Sequence, residues 1–90
     1  MAERVIPNNK EAEQAVIGSM FLSKYALEKC LESVTREAFY LDAHSKIFDA
    51  IAHLAENGSA IDITTVTAEL DRRKELSQIG GVEYLTDILD

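Results

Sequence analysis

The chain is poor in the residues that disulfide scaffolds, membrane spans and metal centres require. Its 90 residues include no tryptophan, one cysteine, one proline and four glycines. One cysteine cannot close an internal disulfide. Cys30 falls on a helical stripe with Leu27, Leu31 and Val34, which makes it a small core residue rather than a nucleophile or ligand. No apolar run approaches the ~20 residues that cross a bilayer. Met1-Ala2-Glu3-Arg4 places no basic region ahead of an apolar one, so no signal peptide is expected.

Positive charge is scarce as well. Nine basic residues stand against sixteen acidic ones, for a formal charge of −7. Affinity for nucleic acid rests chiefly on cations that neutralise phosphates, so direct DNA binding is not expected of this piece. The one basic cluster, Arg72-Arg73-Lys74, sits where cations complement the C-terminal end of a helix dipole. The two histidines, His44 and His53, are nine residues apart and fall on different helix faces, and neither H-x-x-x-H nor C-x-x-C occurs. There is no G-x-x-x-x-G-K-[ST] loop to cradle nucleotide phosphates, and Ile79-Gly80-Gly81 is too short to replace it. No catalytic residue, metal site or cofactor is expected.

What the chain does have is helical periodicity. Hydrophobic residues make up 47% of the sequence, enough for one core in one domain. Asn8 or Asn9 can cap a first helix, with Glu11 and Glu13 in its first turn where the dipole favours negative charge. From Ala15 this helix is apolar nearly all round, which predicts burial on most sides and a central position. Its small ridge, Ala15, Gly18, Ser19 and Leu22, invites close approach by another helix. Ser23 predicts the cap of a second helix over about 24–34, and Thr35 the cap of a short turn carrying Ala38 and Phe39. A longer helix is predicted over about 42–57, ended by Asn57-Gly58. Asp62 caps a fourth helix, and Gly80-Gly81 opens a fifth bearing Val82, Leu85, Ile88 and Leu89.

The expected fold is therefore all-α, a compact bundle of about five to six short helices. The expected core is Val16, Met20, Leu27, Leu31, Phe39, His44, Ile47, Phe48, Ile51, Val66, Leu70 and Leu85. His44 is read as a core histidine bonded to backbone. Tyr84 falls roughly 110° from the centre of its helix's buried stripe, at ~100° per residue. With its neighbours Glu83 and Asp87 it is the candidate partner contact.

Four blocks carry a resemblance. They are Glu11-Ala-Glu-Gln-Ala-Val-Ile-Gly-Ser19, Phe39-Tyr40 with Ala43-His-Ser-Lys-Ile-Phe48, Asp62-Ile-Thr-Thr-Val-Thr-Ala-Glu-Leu70, and Ile79-Gly-Gly-Val-Glu-Tyr-Leu85. In this order and spacing they resemble the N-terminal domain of the bacterial replicative DNA helicase, the DnaB family. Ile6-Pro7 departs from it, since many relatives carry two prolines there.

The resemblance implies a hexameric, ATP- and magnesium-dependent parent enzyme whose C-terminal RecA-like motor lies outside these residues. The N-terminal domains would form a collar that assembles with the other subunits and docks primase, with a helicase loader as a further partner, in the bacterial cytoplasm at the nucleoid. Residues 1–90 would be a fragment ending before a subunit-pairing helical hairpin, a reading suggested by Ile88 and Leu89, which remain periodic with no cap before Asp90. The alternative is a stand-alone helical adaptor resembling the helicase-binding module of a primase.

Overall fold

In a computed structural model that describes residues 9–90, the chain forms five α-helices and two 3-10 turns, with no strand among the described residues. The order is α1 (Lys10–Leu22), α2 (Lys24–Ser33), a turn at Arg36–Ala38, α3 (Asp42–Glu56), α4 (Ile63–Arg72), a turn at Ser77–Ile79, and α5 (Gly81–Leu89). Asn8 and Ile6-Pro7 lie outside the described residues.

Local chemistry explains most boundaries. Asn9 caps α1, its side chain accepting from the Ala12 N–H at 3.0 Å. Ser23 caps α2 in the same way through the Ala26 N–H, so a single residue separates the two helices. Asp62 and Thr65 form a reciprocal capping box at the start of α4. Thr35 makes no side-chain cap; its carbonyl receives the Ala38 N–H instead.

Helix α3 ends on Gly58 at φ 72°, where the Ser59 N–H reaches the Leu54 carbonyl and the Gly58 N–H reaches Ala55. Helix α4 ends with the same pattern, Glu75 to Leu70 and Lys74 to Asp71, but with Lys74 in the left-handed position at φ 62°. A side chain there is strained where glycine is not. Lys74→Gly is therefore expected to raise stability by about 0.5–1 kcal/mol despite the looser unfolded chain. A urea titration that shows a loss would contradict this.

The centre of the bundle is α3, not α1. Helix α3 packs on α1, on α4 and on both turns, and it buries His44, Ser45, Ile47, Phe48, Ala50 and Ile51. Helix α1 buries only Glu13, Ile17, Gly18 and Met20, and it leaves Ala15 and Leu22 in solvent. The apolar circumference of α1 thus overstated its burial. Its small ridge works at one point, Gly18, where a β-carbon would lie 3.4 Å from the Ile88 carbonyl of α5.

Met20, Phe39, Ile47, Phe48, Ile51, Val66, Leu70 and Leu85 form the inner core together with Ile17, Val34, Ala38, Ala50 and Ile79. Val16, Leu27 and Leu31 are only partly buried, because α2 packs chiefly on α1 and seals no residue completely. Cys30 is half-buried on that same helix, and burial pushes its thiol above the ordinary range.

Candidate functional site: a buried carboxylate–imidazole–phenol network

Glu13 stands on α1 at the same helical face as Ile17 and Met20, and it is completely buried. A carboxylate in that position must find donors, since an unpaired buried charge is costly. It finds three. One oxygen lies 2.7 Å from Nδ1 of His44 and also accepts the Leu41 N–H at 3.4 Å, while the other accepts the Tyr40 N–H at 2.8 Å.

Tyr40 and Leu41 lead into α3, whose own N-cap residue, Leu41, has no capping side chain. The Glu13 carboxylate therefore does from another helix what a local cap would do, and its charge faces the positive end of the α3 dipole. Burial pushes the Glu13 carboxyl up. The bonds from His44 and the two backbone N–H groups outweigh that effect and hold it below the ordinary carboxylate range.

The network continues through the imidazole. Nε2 of His44 is 2.5 Å from the Tyr84 hydroxyl, which lies 3.2 Å from Nε2 of Gln14. The His44 and Tyr84 rings stack, with centroids 5.8 Å apart at 12°, and Lys10 sits over the Tyr84 ring at 5.6 Å.

One proton arrangement satisfies every group. Nδ1–H donates to Glu13, Nε2 accepts from the Tyr84 O–H, and the Tyr84 oxygen accepts from the Gln14 amide. Gly80 makes room for this placement. At φ 107° it turns the chain into α5, and a β-carbon on it would come within 2.9 Å of Cβ of Tyr84.

These contacts change three expectations from the sequence. His44 is buried, but its nitrogens bond two side chains rather than backbone. Glu13 does more than complement the dipole of its own first turn, since it is buried and has a base as its partner. Tyr84 is turned inward by its hydroxyl, so its removal would disturb the core and not only a surface. Glu83 and Asp87 remain exposed on the outer face of α5.

The signal for the network was present in the pattern. Glu13 shares its stripe with Ile17 and Met20, and His44 shares its stripe with Ile47, Phe48 and Ile51. Two ionisable groups on buried stripes imply each other.

A second charge cluster is more peripheral. Glu69, 7% exposed, receives Arg72 at 2.6 Å and Arg73 at 2.7 Å, with His53 at 4.0 Å. Two members of the basic triplet are thus tied to one carboxylate. The Arg72 guanidinium above all, against the opposing effect of burial and with help from Arg73, brings the Glu69 carboxyl down to about 2.

A carboxylate whose pKa is depressed in the fold contributes stability above its unfolded pKa, here about 4.5, and loses it as the pH falls toward about 2. The stability gap between the native chain and Glu69→Gln should therefore narrow across that window. Acid titrations of the two proteins by circular dichroism check this, and parallel curves would contradict it.

No group of three or more His, Cys, Asp or Glu side chains able to hold a metal occurs among the described residues, and no helix there is long and apolar enough to cross a membrane. Fold and site together define a small all-α domain stitched through its centre by one polar network.

The chain belongs to the family of the DnaB-like helicase N-terminal domain, whose model matches residues 5–90. It is 46% identical to the replicative DNA helicase DnaB of Geobacillus stearothermophilus over 99% of its own length and 20% of that protein's. It is 43% identical to the replicative DNA helicase DnaC of Bacillus subtilis, over 96% of its length and 19% of the relative's. Its fold is similar to the crystal structure of the N-terminal domain of DnaB helicase from Mycobacterium tuberculosis, with a TM-score of 0.88 and 44% identity over 92% of this chain and 58% of that one. The chain spans about a fifth of the length of these curated relatives.

Proposed function

We propose that this chain is the protein-interaction and ring-assembly domain of a hexameric, ATP- and magnesium-dependent replicative DNA helicase, and that it docks primase at the replication fork. The observation that carries the reading is the family match across residues 5–90, joined to relatives whose names are those of replicative helicases. The motor, the nucleotide and magnesium sites and the loader contacts would belong to other parts of the parent. The setting would be the bacterial cytoplasm, at the nucleoid.

The charge of −7 supports a protein partner over DNA, because phosphate would be repelled. The docking face is the flank of α5 that carries Glu83 and Asp87, with the edge of Tyr84 beside them. Tyr84 has a double part, since its hydroxyl anchors α5 to His44. An exposed charged flank affects partner choice and association rate without holding the fold together.

Glu83→Lys combined with Asp87→Lys is accordingly expected to weaken binding of the primase's helicase-binding domain by about tenfold, which is ~1.4 kcal/mol. The thermal midpoint should move little. Isothermal titration of the two proteins tests this. Unchanged affinity would remove this flank from the interface, and no binding by the native chain would contradict the docking role.

A further inference from the structure

The three tyrosines of the chain stand in different surroundings. Tyr25 and Tyr40 are 71% and 70% exposed. Tyr84 is only partly exposed, and its hydroxyl lies 2.5 Å from Nε2 of His44. Nδ1 of the same ring is held at 2.7 Å by the Glu13 carboxylate.

Carboxylate, imidazole and hydroxyl in series are the arrangement that makes a weak oxygen nucleophile reactive. The base removes the hydroxyl proton as the oxygen attacks, and the third group fixes the tautomer of the base and steadies its charge. Glu13 and His44 are both fully buried, so this base is held in one orientation. Capping of α3 accounts for the burial of Glu13. It does not require the imidazole to aim its free lone pair at a hydroxyl.

The other side of the phenol oxygen is lightly covered. Gln14 of α1 donates to it at 3.2 Å, and Lys10, one turn earlier, stands 5.6 Å from the centroid of the Tyr84 ring. Lys10 is exposed and Gln14 partly so. When the Gln14 amide swings into water, the lone pair that it held is free, while the O–H stays on His44. Lys10 supplies positive charge beside the ring, where a carbonyl oxygen under attack would gain negative charge.

We propose that Tyr84 is a covalent modification site, an acyl acceptor for small donors with a good leaving group, the class of acyl phosphates and N-acylimidazoles. Its oxygen attacks the carbonyl carbon and forms the ester C–O bond. The phenol proton passes to Nε2 of His44, while Nδ1–H stays on Glu13. The bond from the carbonyl carbon to the leaving group breaks, and the leaving group takes the proton from Nε2. The ester oxygen has no proton to give, so Nε2 loses its donor and α5 loses its tie to α3. Modification thereby loosens α5. The site needs no partner protein, so its failure would leave the docking reading untouched.

Timed acetylation of the native chain by N-acetylimidazole, read by peptide mass spectrometry, tests this with the three tyrosines competing in one tube. Tyr84 should be acetylated about tenfold or more faster than Tyr25 and Tyr40, because general-base help of about 10²–10⁴-fold outweighs its poorer access. Hydroxylamine should remove the label, since it cleaves aryl esters and leaves acetyl-lysine intact. Exposure alone would make Tyr84 the last to react, and that order would overturn the proposal.

His44→Gln separates the base from the position. The rate at Tyr84 should fall about tenfold or more while Tyr25 and Tyr40 keep theirs. Thermal melts confirm the fold of this variant; if it does not fold, Gln14→Ala carries the test, since it keeps the base, uncovers the oxygen and should raise the rate several-fold. Amide hydrogen exchange over residues 81–89 should quicken after acetylation and recover after hydroxylamine. An unchanged rate in folded His44→Gln, no increase in Gln14→Ala, or α5 amides indifferent to the label would each overturn the assignment.

Discussion

Glu13→Ala is expected to lower the stability of the domain by about 3–5 kcal/mol, because it strands several buried donors at once. The loss has three parts that occur together. His44 keeps an Nδ1–H with no acceptor in a fully buried place. The Tyr40 N–H loses its 2.8 Å partner and the Leu41 N–H its longer one, so the entry to α3 is left uncapped. The methylene packing of Glu13 beside Ile17 is lost as well. Each stranded donor costs roughly 1–3 kcal/mol where no water can reach it.

Glu13→Gln should cost less but still destabilise, because its amide nitrogen would face donors wherever its oxygen does not. Urea titrations of the three proteins measure the difference, and a loss below about 1 kcal/mol for Glu13→Ala would show that the carboxylate is not a structural cap.

Phe48→Ala should cost a similar amount, about 3–5 kcal/mol, for an apolar reason. Phe48 is 5% exposed on the central helix and meets Phe39 at a centroid distance of 5.4 Å and a tilt of 42°. Phe39 also meets the edge of His44 at 6.4 Å, so the aromatic cluster adjoins the polar network. Truncation would leave a void that α3, held by α1 and α4 on different sides, cannot close. Phe48→Leu should recover much of the loss, since it restores most of the volume. Equal stability of Phe48→Ala and the native chain would mean that the buried face of α3 is misassigned.

Most of the fold was legible because it is written in local chemistry. The caps Asn9, Ser23 and Asp62, the terminator Gly58 and the stripes of α3, α4 and α5 are each decided by residues within a few positions of one another. What failed was non-local. The rank of α1 against α3 depends on how many neighbours each helix acquires, and periodicity measures only how apolar a helix is. Leu27 and Leu31 looked as buried as Ile47 and Ile51, yet α2 has essentially one neighbour.

The candidate site shows the same limit. Glu13, His44 and Tyr84 are 31 and 40 residues apart along the chain, and no spacing rule joins them. Assigning Glu13 to the helix dipole and Tyr84 to the surface treated each residue within its own helix. The turn at Gly80 and the α3 N-terminus supply the meeting point, and both are tertiary. Lys74 in the left-handed position was equally hidden, since glycine is the residue that ordinarily marks such a site.

The central structural claim is that one imidazole, bonded through both ring nitrogens, joins α1, α3 and α5. Nitrogen-15 NMR of the His44 ring at neutral pH tests it most directly. The expected result is a single tautomer with the proton on Nδ1, coupled across the hydrogen bond toward Glu13, an unprotonated Nε2, and a slowly exchanging Tyr84 hydroxyl proton. Tyr84→Phe should change the Nε2 shift and leave Nδ1 protonated. A ring that averages between tautomers, or one with its proton on Nε2, would contradict the network and with it the anchoring of α5.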